Sequence, residues 1–130
     1  GKNAMSVSTF EEHPPFSTVP GAAAFIKTFN ERAAKAGLPD NAVELQAANE
    51  FASWQVLEAA VKGTNSLDDK QLIAWLRTNR VRTIIGEQRF DGPFNHSLES
   101  LFRLKQVQEG KWKIVWPPEW AAPGSKLIVQ

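Results

Sequence analysis

The sequence VELQAANEFASWQVLEAAVKG, residues 43 to 63, predicts a long helix that is apolar on more than one side. Two apolar stripes recur at helical spacing: Val43, Ala47, Phe51, Trp54, Leu57 and Val61 in one, and Ala48, Ala52, Val56, Ala59 and Ala60 in the other. A helix of this kind must be covered by protein on several sides. We predict that it opens near Asp40 or Asn41 and ends at Gly63.

Two shorter helices are predicted on either side of it. Alanines and phenylalanines at three- and four-residue spacing predict a helix from about Gly21 to Ala36, with Gly37 as its left-handed C-cap. A third helix is predicted to begin at Ser66, where Asp69 completes a capping-box pattern, and to end by Asn79.

Extended segments are predicted at both ends of the helical region. Residues 5 to 9 alternate like a short strand, and a loop with three prolines follows at residues 11 to 20. After residue 81 the period changes to that of strands, and residues 100 to 116 predict a hairpin that turns at Glu109-Gly110. The tail contains a candidate short strand at Leu127 to Val129. The order is β-α-α-α followed by a C-terminal β-hairpin, an α/β fold class.

The predicted elements contain too few strands to cover the predicted helices. One leading strand cannot cover a helix as apolar as residues 43 to 63, and parallel strands normally occur in groups. The first ten residues, with Met at position 5, also read like the approach to a strand rather than a natural start. We therefore expect that the chain is a fragment and that outside residues supply much of the sheet.

Composition excludes several classes of function. The 130 residues suit one ordinary domain, and 15 Lys+Arg against 14 Asp+Glu give a net charge of +1, which argues against a nucleic-acid partner. The absence of cysteine removes thiol nucleophiles, disulfides and Cys-ligated metals. His13 and His96 lack a second ligand at metal-site spacing, so we expect no metal, no cofactor and, for His13, local hydrogen bonds in its loop.

The remaining chemical patterns favour structural roles over catalysis. Asp68 and Asp69 suit the positive end of the third helix better than acid–base chemistry. Trp112, Trp116 and Trp120 near lysines could stack bases, but core packing and edge protection explain them better at this net charge. The single glycines form no phosphate-binding cluster, and no serine has the context of an activated nucleophile. We expect that the protein is not an enzyme and has no catalytic residues.

The ordered motifs from residue 47 onward resemble the leucine/isoleucine/valine-binding type of periplasmic solute-binding protein, the receptor of an ABC importer. The resemblance lies in four segments of the sequence: AANEFASWQVLEAAV at 47 to 61, SLDDKQL at 66 to 72, TIIGEQRFD at 83 to 91, and QVQEGKW with VWPPE between 106 and 119. The first strand, the proline-rich loop and the first helix fit the segment just upstream in that family.

This resemblance implies a type I periplasmic-binding-protein fold, in which two Rossmann-like lobes close on a solute in a hinge motion. It places residues 1 to 80 in the N-terminal lobe, a crossover hinge at residues 81 to 86, and residues 87 to 130 in the C-terminal lobe. The implied location is the periplasm or another extracytoplasmic face. The implied partners are a small solute, an ABC permease, and the remaining N-terminal part of the same protein or a second copy, with no nucleic acid.

The implied solute is a branched-chain or other hydrophobic amino acid, or a small aromatic acid, held between both lobes. Thr9, Phe10 and Glu11 are the candidate ligand-binding residues, because they lie at the C-terminal end of the first strand, where open α/β sheets place their ligands. Glu11 could reach a ligand amine. A ligand-sensing domain of a regulator or chemoreceptor with the same fold is the alternative function.

Overall fold

The computed structural model describes residues 3–94, 96–97, 99 and 102–129, and it divides the chain into two compact units. The first unit contains residues 1–48 and 102–130, and the second contains residues 49–101. These boundaries lie at different residues from the predicted lobe boundaries. The assignment of either part to a lobe of a longer protein stays a prediction.

Within the described residues, three α-helices and five strands form a mixed α/β protein, as the sequence predicts. The helices are α1 at Ala22–Lys35, α2 at Leu45–Thr64 and α3 at Asp69–Thr78. The strands are β1 at Met5–Ser8, β2 at Val81–Thr83, β3 at Gly86–Gln88, β4 at Arg103–Gln108 and β5 at Lys111–Trp116. All strand pairs among the described residues are antiparallel, so these residues alone do not form the parallel sheet of a Rossmann-like lobe.

The first unit is built on a three-stranded sheet in the order β1-β4-β5. The predicted hairpin is confirmed at β4 and β5, and its turn residues Glu109 and Gly110 both have positive φ, 53° and 77°. This backbone suits the right-handed twist of the two strands. Residues 100 and 101, within the predicted hairpin range, lie outside the described residues.

One irregularity in β5 changes which side chains are buried. Leu104 faces Trp116 but Lys105 faces Ile114, so Val115 is an extra residue in the ladder. Ile114 and Val115 are both buried, although strict alternation would expose one of them. The predicted last strand is wrong, because the described residues Leu127 to Val129 form no strand and the backbone of Ile128 pairs with the side-chain amide of Gln106.

The core of the first unit is aromatic. Phe10 and Phe16 are almost fully buried, with ring centroids 5.6 Å apart, and Phe25 of α1 lies 6.4 Å from Phe10. Trp120 packs on Phe16 at 4.6 Å, and the guanidinium of Arg103 lies 4.6 Å from the centroid of the Trp120 ring. Burial lowers the pKa of Arg103. Core packing therefore explains Trp120, whereas Trp112 and Trp116 are 42% and 55% exposed.

The second unit holds most of α2, with α3 and the β2–β3 hairpin. Its core includes Ala52, Ala60 and Leu72 from the helices, Val81 from β2, and Ile84 and Ile85 from the hairpin turn. The carboxamide oxygen of Gln55 accepts a hydrogen bond from the backbone of Ile84 at 2.9 Å and so satisfies part of this buried turn.

Three predicted helix boundaries differ from the observed ones: both ends of α2 and the start of α3. The helix α2 begins at Leu45 rather than Asp40 or Asn41, because the Asp40 side chain accepts the Ala42 N–H in a local turn. It continues through Gly63 to Thr64, and Asn65, with φ 51°, takes the left-handed position. The helix α3 begins at Asp69, and its N-cap is Asp68 rather than Ser66.

Candidate functional site

The candidate site is a cleft of about 350 Å³ in the first unit, at the end of β1. Ten residues line it: Phe10, Glu11, Asp40, Ala42, Val43, Glu44, Leu45, Gln46, Lys105 and Trp112. Its volume is in the range of small-molecule sites, which run from about 300 to 1,000 Å³. Two of the predicted ligand-binding residues, Phe10 and Glu11, lie in this cleft. Thr9 is buried next to them and does not line it.

The backbone around Ser8 directs the chain from β1 into the cleft. The Ser8 hydroxyl donates to the carbonyl of Phe10 at 2.8 Å and also accepts from the Phe10 N–H. Such local bonds allow serine to end a strand and start a turn. Phe10 then enters the aromatic core, and Glu11 follows it in the lining of the cleft.

Glu11 forms an ion pair with Lys105 at the centre of the site. The Glu11 Oε1 atom lies 2.9 Å from Lys105 Nζ, and each side chain is only 18% exposed. The Lys105 ammonium also lies 5.0 Å from the centroid of the Trp112 ring, within the range of a cation–π contact. The cleft therefore presents a carboxylate and an ammonium side by side, with an aromatic wall.

The opposite rim is held in place by Glu12. Its Oε1 atom accepts the backbone N–H of Val43 at 2.7 Å, across 31 residues of sequence. With its amide oriented to satisfy its neighbours, Asn30 of α1 donates to the same oxygen and to the Asn41 carbonyl. Glu12 thus fixes the segment before α2 against the loop after β1, which gives the cleft its second wall.

The charges of the lining favour a ligand with a positive group. Three carboxylates, from Glu11, Asp40 and Glu44, accompany the single ammonium of Lys105. The walls contributed by Phe10, Val43 and Trp112 are apolar. A small molecule with an ammonium, a carboxylate and a hydrocarbon side chain could meet each of these groups at once.

His13 forms the local hydrogen bond that the sequence predicts and a second hydrogen bond to a residue distant in sequence. Its Nδ1 lies 2.7 Å from the Pro14 carbonyl, and its Nε2 lies 3.4 Å from the backbone nitrogen of Ile114. This pair of partners requires the tautomer with the proton on Nδ1. The described residues contain no group of three or more His, Cys, Asp or Glu side chains arranged to hold a metal ion.

Sequence reasoning missed Lys105, Trp112 and the segment from Asp40 to Gln46. Lys105 is 94 residues from Glu11, and only the pairing of β4 beside β1 brings the two together. The alternation of β5 placed Trp112 on one face of a strand but carried no information about what that face contacts.

Comparison with models of known protein families finds no match to this chain, and comparison with curated proteins finds none either. Within the described residues, none of the helices has both the length and the apolar character of a bilayer-spanning segment.

Proposed function

We propose that the chain is part of an extracytoplasmic solute-binding receptor of an ABC importer, with the type I two-lobe fold, and that it captures a hydrophobic amino acid. The observation that carries this proposal is the Glu11–Lys105 pair in a cleft walled by Phe10, Val43 and Trp112. The resemblance of the sequence motifs to the leucine/isoleucine/valine-binding family supports the same function.

In this mechanism the ligand ammonium displaces Lys105 from Glu11, and the ligand carboxylate meets the released lysine. The one ion pair that is lost is replaced by two of the same kind, so binding leaves no buried charge without a partner. The hydrocarbon side chain of the ligand contacts the aromatic wall. Closure of a second lobe would exclude the remaining water and present the complex to the permease.

Thermal shift of the protein at its natural length tests this function. We expect leucine, isoleucine, valine or phenylalanine to raise the melting temperature, since a ligand that binds only the native state stabilises it. Glu11→Gln should lower the affinity for the amino acid that binds by at least about thirtyfold, because a charge without a partner then remains in the cleft. Glu109→Gln removes an exposed glutamate–lysine pair of the same unit and is the matched control. Failure of every amino acid to stabilise the protein would refute the function.

A further inference from the structure

A second cleft, of about 290 Å³, lies in the second unit between α2 and the β2–β3 hairpin. Seven residues line it: Asn49, Ala52, Ser53, Val56, Ile85, Gln88 and Phe90. The receptor site described above does not include any of them.

Gln88 distinguishes this cleft from an ordinary surface depression. Its side chain is 5% exposed, and its Nε2 atom has no hydrogen-bond partner among the described residues. A buried amide donor without a partner destabilises a protein by about 1–3 kcal/mol. The terminal torsion of glutamine is soft, so the amide can rotate toward a guest in the cleft. Gln55, by contrast, uses its carboxamide to bond Ile84.

The rest of the lining determines which guest fits. Ala52, Val56, Ile85 and Phe90 provide apolar walls, and the Ser53 hydroxyl already donates to the Asn49 carbonyl at 3.0 Å. The lining contains no charged side chain. A charged guest would lose hydration without gaining a countercharge, whereas a neutral acceptor oxygen would gain the bond that Gln88 can donate.

We propose that this cleft binds a small neutral molecule with an apolar body and one acceptor oxygen, which accepts a hydrogen bond from Gln88 Nε2. The guest class is that of cyclic or branched ketones, esters and amides. At about 290 Å³ the cleft is at the lower limit of small-molecule sites, so it takes one small guest. This inference does not depend on the receptor function.

Titration with cyclopentanone, followed by two-dimensional ¹H–¹⁵N NMR of the 130-residue chain, tests the proposal. Saturable shifts are expected at the backbone amides of Ala52, Val56 and Ile85 and at the side-chain NH₂ of Gln88. Cyclopentanecarboxylate, with the same ring and a charge, should bind at least about tenfold more weakly. Gln88→Met should lower the affinity for the ketone about fivefold. Gln71→Met makes the same change on the exposed face of α3 and should leave that affinity unchanged.

Three results would overturn the proposal: no saturable shifts with the ketone, equal or tighter binding of the carboxylate, or unchanged ketone affinity in Gln88→Met. If Gln88→Met does not fold, the comparison of ketone and carboxylate on the unsubstituted chain still decides the matter.

Discussion

Gly63 shows how one missing side chain permits two helices to approach closely. A Cβ atom at this position would lie 2.4 Å from Cε2 and Nε1 of the Trp75 indole, much closer than van der Waals contact. Gly63 lies inside α2, where alanine would normally be the better helix former by about 1 kcal/mol. The indole of Trp75 in α3 occupies the space that a side chain at this position would need.

Gly63→Ala should therefore destabilise the protein by about 1–3 kcal/mol, the usual result of overpacking a contact. In a Trp75→Ala background the sign should reverse, and the same substitution should stabilise by up to about 1 kcal/mol. Urea denaturation of the unsubstituted protein, the two single variants and the double variant measures both effects. A stabilising Gly63→Ala in the presence of Trp75 would show that the two helices do not approach this closely.

The carboxyl group of Glu109 gives a prediction about pH. The hydrogen bond and positive charge of Lys113, whose Nζ lies 2.6 Å from Glu109 Oε2, hold the pKa of Glu109 below its ordinary value of 4.5. Because the pKa of Glu109 is lower in the folded state than in the unfolded state, the ion pair stabilises the protein at pH values above the unfolded-state pKa. This contribution is lost as the pH falls through the folded-state pKa. The contribution is small, because the carboxylate is exposed.

NMR titration of the Glu109 side chain should give a midpoint below 4.5, and Lys113→Met should move it upward. Lys111→Met, which removes a more weakly acting neighbouring charge, should move it less. Identical midpoints in all three proteins would exclude the ion pair in solution.

Two neighbouring aspartates at the N-terminus of α3 have different roles. The Asp68 side chain accepts the Gln71 N–H at 3.1 Å and is the N-cap, whereas Asp69 is the first helical residue. Asp68→Ala should cost about 1 kcal/mol, the typical value of a lost N-cap. Asp69→Ala removes the same charge but no cap, so its loss of stability should be smaller than that of Asp68→Ala by the contribution of the N-cap. Equal losses in chemical denaturation would mean that charge near the helix end, and not the cap, accounts for the effect.

Local sequence patterns predicted which helices and strands form better than they predicted the residues at which these elements begin and end. The three helices, the first strand and the β4–β5 hairpin follow from periodicity and from the turn at Glu109-Gly110, because both depend on residues close in sequence. The start of α2 was missed because the Asp40 turn competes with the helix for its first residues. The bulge at Val115 and the Gly63–Trp75 contact arise from tertiary packing, which no local pattern records.

The candidate site was predictable to the same extent. The end of β1 identified Phe10 and Glu11, since strand ends are where ligands bind in α/β sheets. It could not identify Lys105 or Trp112, because the antiparallel pairing of β1 with β4 was not foreseen. The ligand-binding roles of Thr9, Phe10 and Glu11 all stay predictions.

For the chain as a whole, one face of the sheet in the first unit carries an apolar patch that is poorly covered. Directly opposed residues on antiparallel strands share a face, so Val7, Leu104 and Trp116 lie together. Val7 and Trp116 are 52% and 55% exposed. In the second unit Trp54 of α2 is 67% exposed. Exposed apolar groups of this size are consistent with the expectation that further protein covers these residues.

The 130-residue chain should consequently associate as its concentration rises, which sedimentation velocity detects. Val7→Lys should reduce this self-association by placing a charge in the apolar patch. Ser6→Lys, one residue away on the other face of β1, is the matched control and should change it less. A chain that stays monomeric at all concentrations would contradict the expectation that its apolar surfaces need a partner.

Titration calorimetry of the protein at its natural length, with leucine and two analogues, tests the receptor function most directly. 4-Methylpentanoate keeps the side chain and carboxylate of leucine but lacks its ammonium, and isoamylamine lacks the carboxylate. Glu11 and Lys105 each require one of these charges, so we predict that leucine binds and that both analogues bind at least about tenfold more weakly. Equal affinities for all three compounds, or no binding heat from any of them, would contradict the account.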